Sequence, residues 1–350
     1  MHAIAMWSFD WLERRWAGGG FEDWAKALDE LVERGYDAVR IDAYPHLFGR
    51  QNVRVTPIWP IHGWGSPLPN DIEPVEPALL AFMTLCAEHG VKVGLSSWFR
   101  DDATEARMDI KSPADHAAVW LRALRSIEAA GLLDIVLYLD LCNEWPDTDW
   151  APYVSPVRLS RTDPKILAWQ DEVFAAVREE YPSLQLCFSF SHELDTWADQ
   201  DVSAYDLLEP HIWLAHSQER GFYAELGYAY DDPEQYALLA ARAPALYAAQ
   251  RERWQAELIA KVESMAAWSR ASGKPLMTTE CWASIFWKDG PGLDWSWIKE
   301  LAEVGISTAV ATGRWTALAT SNFCSPQFHG MWSDVAWHRR MTHLIKGESA

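Results

Sequence analysis

Lys92-Val93-Gly94-Leu95, Ser112-Pro113-Ala114-Asp115 and Ile135-Val136-Leu137-Tyr138-Leu139-Asp140 spell out a strand, the opening of a helix, and the next strand. Both strand segments are short apolar runs, as strands buried on two faces are. Between them Ser112 is placed to cap a helix, Pro113 to start it, and Asp115 to stand in its first turn, with Gly131 as the stop. A strand, a helix and a second strand with no hairpin turn make a parallel unit.

The same alternation extends in both directions. Further strands are expected at Ala3–Trp7, Ala38–Ile41, Gln185–Phe190, His211–Leu214, Pro275–Thr279 and Ile306–Ala311. Helices are expected at Phe21–Arg34, from Asp163 to about Glu180, around Tyr247–Ala271 and at Ser333–Ile345. Eight strands interleaved with helices predict an α/β fold, a single (β/α)₈ barrel domain over residues 1–350. A doubly wound sheet fits less well, because Gly18-Gly19-Gly20 lacks the spacing of a dinucleotide loop and reads as a turn. The longest connections, Tyr44–Pro74, Ala215–Leu246 and Thr312–Trp332, follow strands two, six and eight. In a barrel such loops build the active-site face. They are rich in aromatics: Trp59, Trp64, Phe222, Tyr223, Tyr228, Tyr230, Tyr236, Phe323, Phe328 and Trp332.

Acidic side chains number 50 against 30 basic, a net charge of −20 over 350 residues. That balance disfavours nucleic acid and anionic membrane surfaces as partners. No apolar run reaches the ~18 residues of a membrane span. The first residues carry no basic, signal-like region, and the five cysteines form no CxxC pair. A cytoplasmic protein with reduced thiols is expected. The 22 Trp outnumber 12 Phe and 11 Tyr. Indole N–H groups need partners when buried, so part of this set is expected to line a cleft and stack on sugar rings.

Two carboxylates sit where a barrel would use them. Glu144 follows strand four in Leu141-Cys142-Asn143-Glu144-Trp145-Pro146, and Glu280 follows strand seven in Thr278-Thr279-Glu280-Cys281-Trp282. Strands four and seven face each other across a barrel mouth. Two acids converging there suit cleavage of a glycosidic bond, one protonating the leaving oxygen while the other attacks or activates water. Asp10 and Trp11 after strand one, Asp42 and His46 after strand two, and His192 after strand five could also reach sugar hydroxyls. His192, His211 and His216 lie on neighbouring strand ends, but the chain has no metal-ligand spacing such as HExxH, and no cofactor is implied.

Asn143-Glu144 after strand four and Glu280 after strand seven resemble the signature of glycoside hydrolase clan A, the retaining (β/α)₈ glycosidases. Within it the chain looks most like the cellulase-like, family 5-type and sugar-binding cellulase-like members. The resemblance implies Glu144 as acid/base, Glu280 as nucleophile and Asn143 as the contact to the sugar 2-hydroxyl. It implies Arg40 beside the nucleophile, His211 as the strand-six His, and Trp315 as a platform beneath the sugar, with Trp282 and Trp98 near the ligand. Two departures stand out. Trp213 replaces the Tyr that supports the nucleophile, and Trp98 lies in Ser97-Trp98-Phe99-Arg100 where family 5 enzymes have a His.

A small neutral oligosaccharide or glycoside is the expected partner, with β-glucosides or β-mannosides favoured by the same analogy. The rivals are a non-catalytic sugar-binding protein, a transglycosylase using the same two Glu, and a phosphorylase with Arg100 or Arg314 in a phosphate pocket. An apolar cleft beside Glu280 is expected to raise the Glu144 pKa. The segment Ala215–Leu246, with acids Asp231, Asp232 and Glu234, reads as a flap over the pocket or as a contact between copies in a homo-oligomer.

Overall fold

The computed structural model describes residues 1–58, 63–214, 221–228, 235–285, 287 and 293–348. Trp59, His216, Tyr230, Asp231, Asp232 and Glu234 therefore lie outside the described residues.

From the N-terminus the elements are β1 (His2–Ser8), α1 (Asp10–Glu13), α2 (Trp24–Glu33), β2 (Ala38–Asp42), and the short strands β3 (Val53–Val55) and β4 (Asn70–Ile72). Then come α3 (Val75–Glu88), β5 (Lys92–Ser96), α4 (Pro113–Ala129), β6 (Val136–Asp140), α5 (Pro164–Glu180), β7 (Leu186–Cys187) and β8 (Ile212–Trp213). The chain ends with α6 (Phe222–Leu226), α7 (Tyr236–Ala249), α8 (Arg251–Ser272), β9 (Leu276–Thr278), β10 (Cys281–Trp282), α9 (Ser296–Thr312), β11 (Trp315–Ala319), α10 (His329–Trp332) and α11 (Val335–Lys346).

Seven strands form one parallel sheet in the order β7-β6-β5-β2-β1-β11-β9. Its two edges are drawn together by the segment leading into β8. Phe190 bridges Pro210, Leu208 bridges Leu276, and β8 pairs in parallel with β10. The sheet therefore curls, with helices over its outer face. The helix that Ser112 was expected to cap forms as read, the Ser112 side chain accepting from the Asp115 N–H. β3 and β4 make a separate antiparallel pair inside the long connection after β2. Among the described residues no helix is long and apolar enough to cross a membrane.

One expected strand is misplaced. Ile306–Ala311 belongs to α9, and the last strand is Trp315–Ala319. Gly313, with φ +66°, ends that helix in the left-handed region that only glycine enters cheaply. The long helix expected around Tyr247–Ala271 is instead two, α7 and α8, divided at Gln250.

Most tryptophans serve packing. Trp7, Trp11, Trp120, Trp254, Trp282 and Trp297 are fully buried. Several of their indole N–H groups find backbone carbonyls, Trp11 at Asp42, Trp120 at Leu141 and Trp282 at Ala319. The inner face of the sheet is polar by contrast, carrying buried Arg40, Ser96, Asp140, Ser189 and Thr279.

Gly94 on β5 lies directly against the Tyr138 ring on β6, so a Cβ there would run into it. Gly94→Ala is expected to destabilise the protein by about 1–3 kcal/mol through this overpacking. Urea denaturation would show it, and an unchanged midpoint would contradict the packing described.

Candidate active site

Arg40 organises the C-terminal ends of the strands. It is fully buried on β2, and its charge is shared among three acids. Nη2 donates to Asp140 Oδ2 at 2.7 Å and to Asn143 Oδ1 at 2.7 Å. Nη1 donates to Glu280 Oε1 at 2.9 Å and to Thr279 Oγ1 at 3.2 Å. Nε faces Glu209 Oε1 at 3.4 Å, and the guanidinium lies 4.4 Å from the centre of the Trp98 ring. A buried cation needs this compensation, and a buried acid needs the cation.

The segment after β6 is stitched to its neighbours. Asn143 N–H donates to the Ser97 carbonyl, Glu144 N–H to Ser189 Oγ, and Trp145 N–H to the Ser189 carbonyl. Glu144 itself adopts φ +48°, the left-handed region a non-glycine residue seldom occupies. Its Oε1 lies 3.0 Å from His211 Nδ1, and its Oε2 accepts from Trp150 Nε1 at 3.0 Å. Glu280 Oε1 lies 3.7 Å from the same His211 nitrogen. One oxygen of each carboxylate and a nitrogen of His211 fall within 4.8 Å of one another.

Burial pushes Glu280 above the usual carboxylate range, Glu144 adding to the effect while His211 and Arg40 oppose it. Burial also pushes Glu144 upward. There the His211 hydrogen bond and charge, with the Trp150 N–H, outweigh it and hold the carboxyl well below its ordinary value. The raised Glu144 expected from an apolar cleft is therefore not found. His211 is raised as well, since Glu280 and Glu144 outweigh the burial that disfavours its charge.

Above these groups lies a cavity of about 490 Å³, a size typical of small-molecule sites. Asn143, Glu144, Trp98, His192, Trp213 and Glu280 line it. Trp213 Nε1 donates to Asn322 Oδ1 at 3.0 Å, which also accepts from the Cys281 N–H. Among the described residues, Asn143 Nδ2 is buried without a partner. Tyr223 of the expected flap reaches the cavity, as does Trp64 from the connection after β2.

Arg40 and His211, also expected to bind substrate, stand behind the two Glu without lining the cavity, and six further expected contacts are not brought to it. Trp315 is the first residue of β11, at the far end of the sheet, where its indole donates to Thr278 Oγ1. Trp282 packs outward, its ring against Gly305 of α9. Trp11 is core, in ring contact with Trp24 and Phe82. Asp10 ties loops together, accepting from Gly65 N–H and Gln327 Nε2. Asp42 accepts from the N–H groups of Tyr44 and Trp98. His46 Nε2 faces the Arg100 carbonyl. The two phosphate-pocket candidates are also spoken for, Arg100 by Glu13 and Arg314 by Ser269.

Sequence reading missed Trp150, Asp147, Arg158 and Asn322, all of which line the cavity. Trp150 had a signal, an indole six residues beyond Glu144. The turn that brings it back, Asp147 N–H to Glu144 carbonyl and Trp150 N–H to Asp147 carbonyl, is visible only in three dimensions.

Arg40→Met would strand Asp140, Glu209 and Glu280 without their cation, at an expected loss of about 3–5 kcal/mol. Glu209 and Glu280, raised by burial even with Arg40 opposing it, would be raised further in the variant, so its deficit grows as pH rises and is relieved by acid. Urea denaturation is expected to show a larger deficit near about pH 7 than near about pH 5; equal deficits would contradict the network.

A family model described as sugar-binding cellulase-like matches residues 4–346. No functionally curated protein matches the sequence. Among solved structures, a Parabacteroides distasonis protein provisionally named a glycoside hydrolase is 44% identical, with a TM-score of 0.95 over 98% of this chain and 93% of its own. An endoglucanase at 11% identity and TM-score 0.59, covering 99% of this chain and 97% of its own, shares the fold. So does a family 5 mannosidase from Rhizomucor miehei, at 9% identity and TM-score 0.54, over 99% and 92%. The match over nearly the whole length means that this chain belongs to the sugar-binding cellulase-like family.

Proposed function

We propose that the chain is a retaining glycosidase on a closed (β/α)₈ barrel, cutting a small oligosaccharide or glycoside through a covalent glycosyl-enzyme intermediate. The observation that carries this reading is the meeting of Glu144, His211 and Glu280 within 4.8 Å at the base of a lined cavity. Retaining enzymes hold their two carboxyls about 5–5.5 Å apart, whereas inverting ones need about 6.5–9.5 Å to seat a water between them. One oxygen of Glu144 lies within 4.8 Å of one of Glu280, which is compatible with direct attack by one carboxylate.

Glu280 is the nucleophile, kept anionic by Arg40 Nη1 despite its burial. Asn143, its Oδ1 fixed by Arg40, turns its unpartnered Nδ2 to the sugar 2-hydroxyl. Two donors, His211 and Trp150, favour the Glu144 anion, so the proton for the leaving group is held elsewhere. His211 supplies it. Its Nδ1 proton passes along the 3.0 Å hydrogen bond to Glu144 Oε1 and then to the glycosidic oxygen, as Glu280 bonds to the anomeric carbon and the C–O bond breaks. The transfer also relieves His211, whose Nε2 has no partner among the described residues, of a buried charge. In the second step water attacks the anomeric carbon, Glu144 takes its proton and Glu280 leaves. The proton then returns to His211.

The names of the endoglucanase and mannosidase neighbours make β-glucosides and β-mannosides the first substrates to try. Glu280→Gln is expected to lower kcat by at least about 10³-fold with the fold intact, since an amide forms no glycosyl ester. Glu144→Ala is expected to spare 4-nitrophenyl glycosides relative to poor leaving groups, with azide restoring their turnover. A full panel of aryl glycosides that binds without turnover would instead make the chain a sugar-binding protein.

A further inference from the structure

Glu280 stands where one strand pairing stops and another continues. On one side of the chain that carries it, the Glu280 carbonyl accepts from the Ile212 N–H, and β10 goes on to pair with β8. On the other side, pairing with β11 ends at Thr278. Asn322, three residues beyond the end of β11 at Ala319, serves that side instead. Its Oδ1 accepts from the Cys281 N–H at 2.6 Å, and its own N–H donates to the Cys281 carbonyl at 2.9 Å. The Glu280–Cys281 peptide is therefore fixed from both sides, at its carbonyl by β8 and at its N–H by Asn322.

The same Oδ1 accepts from Trp213 Nε1 at 3.0 Å, so both lone pairs of the oxygen are used. Asn322 Nδ2 donates to the Ser284 carbonyl at 3.4 Å. Asn322 thus borders the cavity with its polar atoms committed to the protein, an arrangement that suits holding other groups in place. Arg40 Nη1 holds the tip of the Glu280 side chain, and Asn322 holds the backbone from which that side chain springs.

We infer that Asn322 is a positioning residue for Glu280, setting the direction from which the carboxylate meets the anomeric carbon and tying the Trp213 indole to the same point. The inference rests on the glycosidase reading for the reaction of Glu280, and on the hydrogen bonds above for its placement. A displacement of about 1 Å in a reacting group is enough to lower a rate about 100-fold.

Asn322→Ala withdraws the oxygen from both donors. Its kcat is measured per active site, titrated with a 2-deoxy-2-fluoro glycoside so that unfolded protein is not counted. It is expected to fall about 10–100-fold, with KM changed less than about threefold. Asn322→Asp keeps an oxygen for the same donors and is expected to recover most of that loss. It also adds a negative charge beside Glu280, whose charged neighbours are His211, Glu144 and Arg40, and so is expected to move the acid limb of the pH profile to higher pH. A kcat for Asn322→Ala within about twofold of wild type overturns the inference and leaves the glycosidase reading standing. So does an Asn322→Asp variant as slow as Asn322→Ala with its acid limb unmoved. If Asn322→Ala does not fold, Asn322→Ser, one atom too short to reach both donors, takes its place with the same expectations. If the wild type hydrolyses no glycoside, the glycosidase reading falls, and crystal structures of wild type and variant decide the inference. A Glu280 carboxylate parted from Arg40 Nη1 in the variant supports the positioning role, and one that has not moved overturns it.

Discussion

Arg40 is the constraint on which the site depends. A guanidinium buried at the centre of a curled parallel sheet is tolerable only if its donors are met and its charge balanced. The hydrogen bonds to Asp140, Asn143 and Glu280 meet Nη1 and Nη2, and Glu209, 3.4 Å from Nε without a hydrogen bond to it, adds to the balancing charge. In doing so they fix residues from three different strand ends relative to each other. Asn143 has its amide orientation set, Glu280 has one oxygen held, and Glu144 is carried along by its neighbour. Precise placement of this kind is what a pair of catalytic carboxylates requires.

Charge in the cluster is divided unevenly. Glu144 is favoured as an anion by His211 and Trp150, whereas Glu280 is burdened by burial and by Glu144 itself. The ionic preferences of the site are thus arranged around His211, which faces both acids. On the reading developed above, the imidazole is the reservoir from which the acid is recharged each cycle.

The repeating strand and helix pattern was legible because parallel strands buried on both faces read as apolar runs. It failed where a helix also carries such a run. Ile306–Ala311 carries no charge and is half β-branched, and the glycine stop at 313 marks it as the end of α9. Glu144 and Glu280 could be picked out because each directly follows a strand on opposite sides of the sheet. Asp10, Asp42 and His46 have equally suggestive positions, yet loop paths turn them into anchors for Gly65, Gln327, Tyr44 and Trp98. Nothing local distinguishes an acid that binds a ligand from one that binds a backbone N–H. Trp282 misled for a related reason, since beyond Glu280 the chain enters β10 and its indole fills the notch at Gly305.

The claim that Glu280 bonds covalently to the sugar is tested most directly by trapping. A 2-deoxy-2-fluoro glycoside with a fast leaving group slows both steps but lets the intermediate accumulate when the first remains the faster. Peptide mass spectrometry of the inactivated protein is expected to place one fluoroglycosyl group on Glu280. Labelling of Glu144 instead, or turnover giving an inverted product with no labelled peptide, would contradict the account.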